Sequence, residues 1–176
     1  VAHDLGQSLL RAAAEDDRAK VENLLLRGIP VDVIDDRSSA EGIKRTGLTC
    51  LHWACRNGSI MLIKRLIVAG ASLDKEDSWG RRALAHAGEC GHAQCVRLLC
   101  EQKQTKIDAL DHGGWSALAR ACKNCHRDVV IELLAAGAKP SRLEMKAALA
   151  SNNQDVIEMV GRKMRATMVD DNRDDN

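Results

Sequence analysis

Two patterns recur along this chain with a single period. Gly47-Leu48-Thr49-Cys50-Leu51-His52-Trp53-Ala54-Cys55 aligns with Gly80-Arg81-Arg82-Ala83-Leu84-Ala85-His86-Ala87-Gly88 and with Gly114-Trp115-Ser116-Ala117-Leu118-Ala119-Arg120-Ala121-Cys122. Leu51 and Leu84 are 33 positions apart, and Leu84 and Leu118 are 34. Ile63/Leu66/Ile67, Val96/Leu99/Cys100 and Val130/Leu133/Leu134 follow in the same phase. A fixed period in the range of about 20–50 residues means stacked units, each unable to bury its apolar face alone.

Each unit reads as two short helices and an extended excursion. The first helix is thin and alanine-rich, so neighbouring backbones can approach closely. The second carries the larger side chains at three-and-four spacing, one face of a helix. Thr49 and Ser116 stand where an N-cap acceptor is needed; Arg82 holds the equivalent position and cannot accept. Gly58 and Gly91 end first helices, and Gly70 and Gly137 end second ones, where a left-handed residue is wanted. Helices of about seven to ten residues do not persist alone in water, so the units must stack into one continuous core.

The segment Thr49-Cys50-Leu51-His52-Trp53-Ala54, followed by Asn57-Gly58 and Ala69-Gly70-Ala71, resembles the ankyrin repeat and its T-P-L-H-x-A signature. The resemblance covers about residues 1–165 and implies an all-α ankyrin-repeat solenoid of stacked helix-turn-helix units joined by hairpin loops. In this register 1–34 is an N-terminal capping repeat, carried by Leu9, Ala12, Val21, Leu24, Leu25 and Gly28. Residues 47–76, 77–110 and 111–140 are full repeats, and 141–167 is a C-terminal capping repeat, with Ala147, Val156, Met159 and Val160. Val21 and Ile63 are 42 positions apart, which places an insertion at 35–46 in the first hairpin. The stretch 168–176 reads as a disordered acidic tail.

The departures are local. Cys50, Ala83 and Ala117 replace the signature proline, and its histidine survives only as His52. The middle repeat breaks most rules: Arg82 cannot cap, Gly88 lies inside a helix at a cost of ~1 kcal/mol against Ala, and Lys103 replaces a terminating Gly. Such a place is either a weak link or a specialised site.

The composition suits a folded chain: 176 residues, 45 % hydrophobic, 29 % charged, net charge +1. That charge removes the main argument for a general nucleic-acid binder. No apolar run nears the ~18 residues of a membrane span, and Val1–Gln7 lacks a signal peptide's apolar core. Seven cysteines without a secreted spacing read as reduced thiols, giving a cytoplasmic or nuclear protein as the expectation. The start at Val1 reads as a piece of a longer protein. With three Trp and no Phe or Tyr, the core must come from Leu, Ile, Val, Ala, Cys and Met.

No residue pattern points to catalysis or a cofactor. His52 lacks a nucleophile and orienting acid, and in ankyrin-like repeats this histidine bonds near the turn. Cys122-Lys123-Asn124-Cys125-His126 contains a CxxC, with Cys90 and His92 one repeat earlier, a thiolate and imidazole set that zinc would favour. A second CxxC is missing, and small buried hydrophobes explain Cys55, Cys100 and Cys122 without a metal. Cys125 replaces a helix-ending Gly, with Asn124 expected to take the left-handed turn. A redox role is excluded, because Cys122 and Cys125 end a helix, where the dipole disfavours thiolate. No metal site is assigned.

Ankyrin-like stacks bind partners with hairpin tips and the exposed side of the first helices, a concave face. Carried over residue by residue, that face takes Arg45, Leu48, Arg56 and Asn57 from the first full repeat, with Thr46 beside them. It takes Trp79, Arg81 and Glu89 from the second, with Ser78, and Trp115 and Lys123 from the third, with His112 and Asn124. Trp and Arg dominate interface hot spots. The alternative is that Trp79 and Trp115 lie flat and shield neighbouring hairpins; Trp53 is read as inter-repeat packing. Five basic residues and no acidic one between Gly42 and Leu73 suggest an acidic partner. The expected function is therefore a non-catalytic protein-interaction module, binding a protein or acidic peptide within a larger regulatory or scaffold protein. The alternative is a nucleotide or single-stranded nucleic-acid binder, with Trp stacking on bases and Arg or Lys on phosphates.

Overall fold

The computed structural model describes residues 2–34 and 46–171, so Arg45 and nearly all of the 35–46 insertion lie outside the described residues. Ten helices and no strands occur among the described residues: α1 (Ala2–Ala14), α2 (Arg18–Leu26), α3 (Cys50–Asn57), α4 (Ile60–Val68), α5 (Ala83–Cys90), α6 (Ala93–Cys100), α7 (Ala117–Lys123), α8 (Arg127–Ala135), α9 (Arg142–Ser151) and α10 (Gln154–Asp171). The chain is an all-α repeat solenoid. α10 runs beyond residue 167, so the helix enters the stretch read as a disordered tail.

Local chemistry sets each unit. Thr49 caps α3 reciprocally: its hydroxyl faces the His52 amide, and its own amide donates to His52 Nδ1 at 2.9 Å. Ser116 Oγ accepts the Ala119 amide at 3.0 Å and caps α7. The same hydroxyl donates to Glu144 Oε1 at 2.6 Å, while Glu144 Oε2 takes the Ser141 amide at 2.7 Å, so one buried carboxylate ties two successive caps together. Arg82 at the start of α5 makes no cap bond and pairs instead with Glu76. α3 and α5 end at Gly58 and Gly91 in the left-handed region.

α1, α3, α5, α7 and α9 stack side by side in one layer, and α4, α6, α8 and α10 form the second. Leu62, Ile63 and Leu66, then Cys95, Val96 and Leu99, then Val129, Val130 and Leu133 are buried in the second layer against Leu51, Leu84 and Leu118 of the first. Emptying such a site, as in Leu66→Ala, costs about 2–5 kcal/mol. Ala83, Ala87, Ala117, Ala119 and Ala121 keep the first helices thin, so α5 and α7 meet more closely than α4 and α6. Gly88 lies at the tightest point: a Cβ there would stand 3.0 Å from the Ala117 carbonyl oxygen. Its helix-propensity cost is offset by this approach.

Candidate partner-binding face

The two described hairpins that precede α5 and α7 share one construction. Asp77 Oδ1 accepts the Trp79 amide at 2.8 Å and the Arg81 amide at 2.9 Å. Asp111 Oδ1 likewise accepts the Gly113 amide at 2.8 Å and the Trp115 amide at 2.9 Å. Gly80 and Gly114 then take positive φ, 76° in each, which a side chain would disfavour. Adjacent turns are bonded to each other, Ser78 N to Thr46 O at 3.0 Å and His112 N to Trp79 O at 2.9 Å.

Five charged side chains continue from these turns across two helices. Asp77 Oδ2 takes Arg81 Nε at 2.8 Å, and Arg81 Nη1 reaches Glu89 Oε2 at 3.2 Å. The other Glu89 oxygen takes Arg120 Nη1 at 3.2 Å, and Arg120 closes on Asp111 Oδ2, with Nε at 3.1 Å. Three carboxylates and two guanidiniums thus form one ladder spanning the second and third full repeats. His86 joins it from beneath, donating from Nε2 to Asp77 Oδ2 at 3.0 Å. Burial raises the Asp77 carboxyl, but donors from His86, Arg81 and Trp79 outweigh it and hold the group well below the usual carboxylate range.

His52 is buried against His86, ring centroids 5.1 Å apart and edge to face. Because Nδ1 accepts the Thr49 amide, Nε2 carries the proton and donates to the carbonyls of Lys75 (3.1 Å) and Arg81 (3.2 Å). Burial, then the neighbouring His86, lowers its pKa to about 4. The imidazole is a structural pin between one repeat and the next hairpin.

Each tryptophan carries a cation over its ring: Arg56 over Trp53 at 5.1 Å, Arg81 over Trp79 at 4.8 Å, and Lys123 over Trp115 at 5.2 Å. Trp79 is 44 % exposed at the hairpin tip. Trp115 and Trp53 are half-buried and pack against the core, so Trp115 is partly a shield. Glu89, Trp115, Arg120, Lys123 and Asn124 line a depression of about 140 Å³ on this face. A second hollow, about 390 Å³ and mostly apolar, lies on the outer layer between α8 and α10, with Ile131 and Met159 in its wall.

The remaining residues expected on the face divide. Arg56 and Lys123 project as exposed cations, and no described carboxylate pairs with either. Leu48 is buried, at 2 % exposure, so it is not available on the face. Asn57 donates to the carbonyls of Ala13 and Ala14 at 3.2 and 2.9 Å, closing the end of α1. Asn124 does the same for Glu89 O at 2.9 Å. Arg81 and Glu89 are held within the ladder. The basic stripe read between Gly42 and Leu73 is therefore followed by a charge-balanced middle.

Asp77, Asp111, His86 and Arg120 were not singled out from the sequence. An Asp three residues before Gly80 and again before Gly114 is the available signal, since Asp at the first and Gly at the fourth position mark a turn.

Cys50, Cys55, Cys95 and Cys122 act as small core residues, Cys100 is partly buried, and Cys90 and Cys125 are exposed. Cys55 and Cys122 are fully buried, and burial pushes the Cys122 thiol up to about 12. Cys125, not Asn124, takes the left-handed turn, with φ of 59° against −91° for Asn124. The Cys125 amide bonds Cys122 O and Sγ faces Ser151 O, which fixes that strained residue. His126 Nε2 is engaged by Glu89 O at 2.9 Å. Among the described residues no group of three His, Cys, Asp or Glu side chains is placed to hold a metal ion. No helix among them is long and apolar enough to cross a membrane.

A stack of two-helix units with a pinned, charged and tryptophan-bearing hairpin face defines a repeat solenoid of the interaction class. The family model for ankyrin repeats (three copies) matches residues 9–109 and 51–144. The chain is 31 % identical over 147 residues to the E3 ubiquitin-protein ligase KEG of Arabidopsis thaliana, a match covering 82 % of this chain and 9 % of that protein. It is 34 % identical over 110 residues to SH3 and multiple ankyrin repeat domains protein 2 of Homo sapiens, covering 62 % of this chain and 6 % of that protein. With the probable 26S proteasome regulatory subunit p28 of Saccharomyces cerevisiae it shares 29 % identity over 111 residues, covering 62 % of this chain and 49 % of that one. The chain thus spans about half the length of one relative and under a tenth of the other two. It belongs to the ankyrin repeat family, whose repeats are protein–protein interaction modules.

Proposed function

We propose that the chain is a non-catalytic interaction segment that receives a partner protein on the face formed by its hairpin tips and first helices. The supporting observation is the fixed ladder from Asp77 through Arg81, Glu89 and Arg120 to Asp111, with Trp79 stacked on Arg81 at its tip. A surface already held in place loses little side-chain freedom on binding, so a few anchors can decide affinity. Trp79 and Arg56 are the outward anchors, and Trp115 with Lys123 borders the depression behind them. We place this segment within a larger regulatory or scaffold protein, in the cytoplasm or nucleus. The ladder's carboxylates neutralise Arg81 and Arg120, which disfavours phosphate and hence nucleic acid as the occupant.

Affinity capture from cell extract tests the reading with three baits: wild type, Trp79→Ala with Arg56→Glu, and the outer-layer variant Ile131→Asp. A protein retained by wild type and Ile131→Asp but lost from the double variant is expected. Loss from Ile131→Asp with retention by the double variant would move the site to the hollow between α8 and α10.

A further inference from the structure

Arg56, Glu89 and Lys123 hold the same register position in three successive repeats, nine residues after Gly47, Gly80 and Gly114. They form a row across the last turns of α3, α5 and α7. The middle member is neutralised from both sides, by Arg81 and Arg120. The outer two are exposed, lack a described carboxylate partner, and are each seated over an indole, Arg56 over Trp53 and Lys123 over Trp115. The row therefore reads as free cation, spent anion, free cation.

Building on the partner-binding face argued above, we infer that this row recognises an extended acidic peptide segment carrying two carboxylates on one face, spaced to meet Arg56 and Lys123 together. The spacing follows from geometry. Packed helices stand about 8–10 Å apart, so two steps from α3 to α7 cover about 16–20 Å. An extended chain advances about 3.3 Å per residue and places alternate side chains on one face. Two acids about six residues apart satisfy both conditions; five or seven apart send one acid to the opposite face. Between them, the two positions on the same face, two and four residues after the first acid, flank Glu89 and are neutral or basic, because a third acid there approaches a carboxylate. The two indoles hold the cations in place, which favours this register over a loose electrostatic cloud.

A fluorescence-anisotropy series on the whole chain tests the spacing. The probes are fluorescein-labelled peptides of neutral, β-favouring background bearing two aspartates at separations from about three to about nine residues. Tightest binding is expected at a separation of about six, weakening as salt rises. Arg56→Glu and Lys123→Glu, both at exposed positions and checked for folding by circular dichroism, are each expected to weaken that peptide about threefold to tenfold. A matching peptide with two lysines should bind the double reversal better than wild type. Affinity independent of spacing, a maximum unmoved by the double reversal, or no binding to any peptide overturns the inference. So does tighter binding of a mixed-sequence oligonucleotide than of the best peptide. Capture of a partner that depends on Trp79 would still leave the broader face assignment standing in each of these cases.

Discussion

Glu89 of α5 and Arg120 of α7 meet across a repeat boundary at 3.2 Å, while the second oxygen of Glu89 holds Arg81 at the same distance. Glu89 is about a third exposed, so water screens these pairs and each contributes little to folding. Their effect is positional, because they keep two guanidiniums lying along the face instead of pointing from it. Glu89→Gln is expected to lower unfolding free energy by less than about 1 kcal/mol and to tighten binding of acidic peptides, since two cations are released. Urea unfolding and peptide titration on the same variant check both; weaker peptide binding would contradict the role given to Glu89.

Asp77 behaves differently because it is buried and accepts four hydrogen bonds, from two amides, Arg81 Nε and His86 Nε2. Asp77→Asn leaves the guanidinium and the imidazole without their anion. A loss of about 2–4 kcal/mol is expected in denaturant unfolding. A change within about 0.5 kcal/mol, the range of ordinary surface substitutions, would show that the turn does not depend on this carboxylate.

Acid should destabilise the stack before its carboxylates titrate. His52 drops from 6.5 to about 4 on folding, through burial first and the charge of His86 second. His86 is also lowered, by burial, with Asp77 opposing. A histidine with a depressed folded pKa contributes stability above its unfolded pKa and loses it as pH falls toward the folded value. Unfolding free energy should therefore fall between about pH 6.5 and 4, by roughly 3 kcal/mol for His52 alone. Asp77, held well below 3.8, contributes to the pH dependence only below that window. Urea midpoints at closely spaced pH values measure this, and stability that stays flat from pH 7 to 4.5 would be incompatible with neutral buried imidazoles.

The two hairpin tryptophans should separate stability from binding. Trp79 is the more exposed, and Trp79→Ala is expected to change stability by less than about 1 kcal/mol while abolishing partner capture. Trp115 packs against the core, and Trp115→Ala should cost about 2 kcal/mol through lost packing. Thermal melts of the two single variants discriminate them; equal destabilisation would mean that Trp79 too is a shield.

The fold was legible because stacking repeats writes the same burial pattern several times: Leu51, Leu84 and Leu118 recur in phase and are all buried. Caps and glycine turns were legible for the same reason, as at Thr49, Ser116, Gly58 and Gly91. The face was only partly legible, because hydrogen bonds between repeats leave little trace in a linear sequence. Asn57 and Asn124 look like surface contacts until they are seen to close the helix before them. Leu48 looks exposed because it follows a turn glycine, yet it packs inward. Gly88 looks like a defect in α5 until the Ala117 carbonyl is placed beside it. Arg120 was hidden by its position in an alanine-rich helix, although it carries half of the ladder.

Hydrogen–deuterium exchange of the chain, alone and with the partner recovered by capture, tests the assignment of the binding face most directly. Protection is expected in the hairpins at 77–82 and 111–116 and along α3, α5 and α7, with α4, α6 and α8 unchanged. Protection confined to α8 and α10 and absent from both hairpins would contradict it.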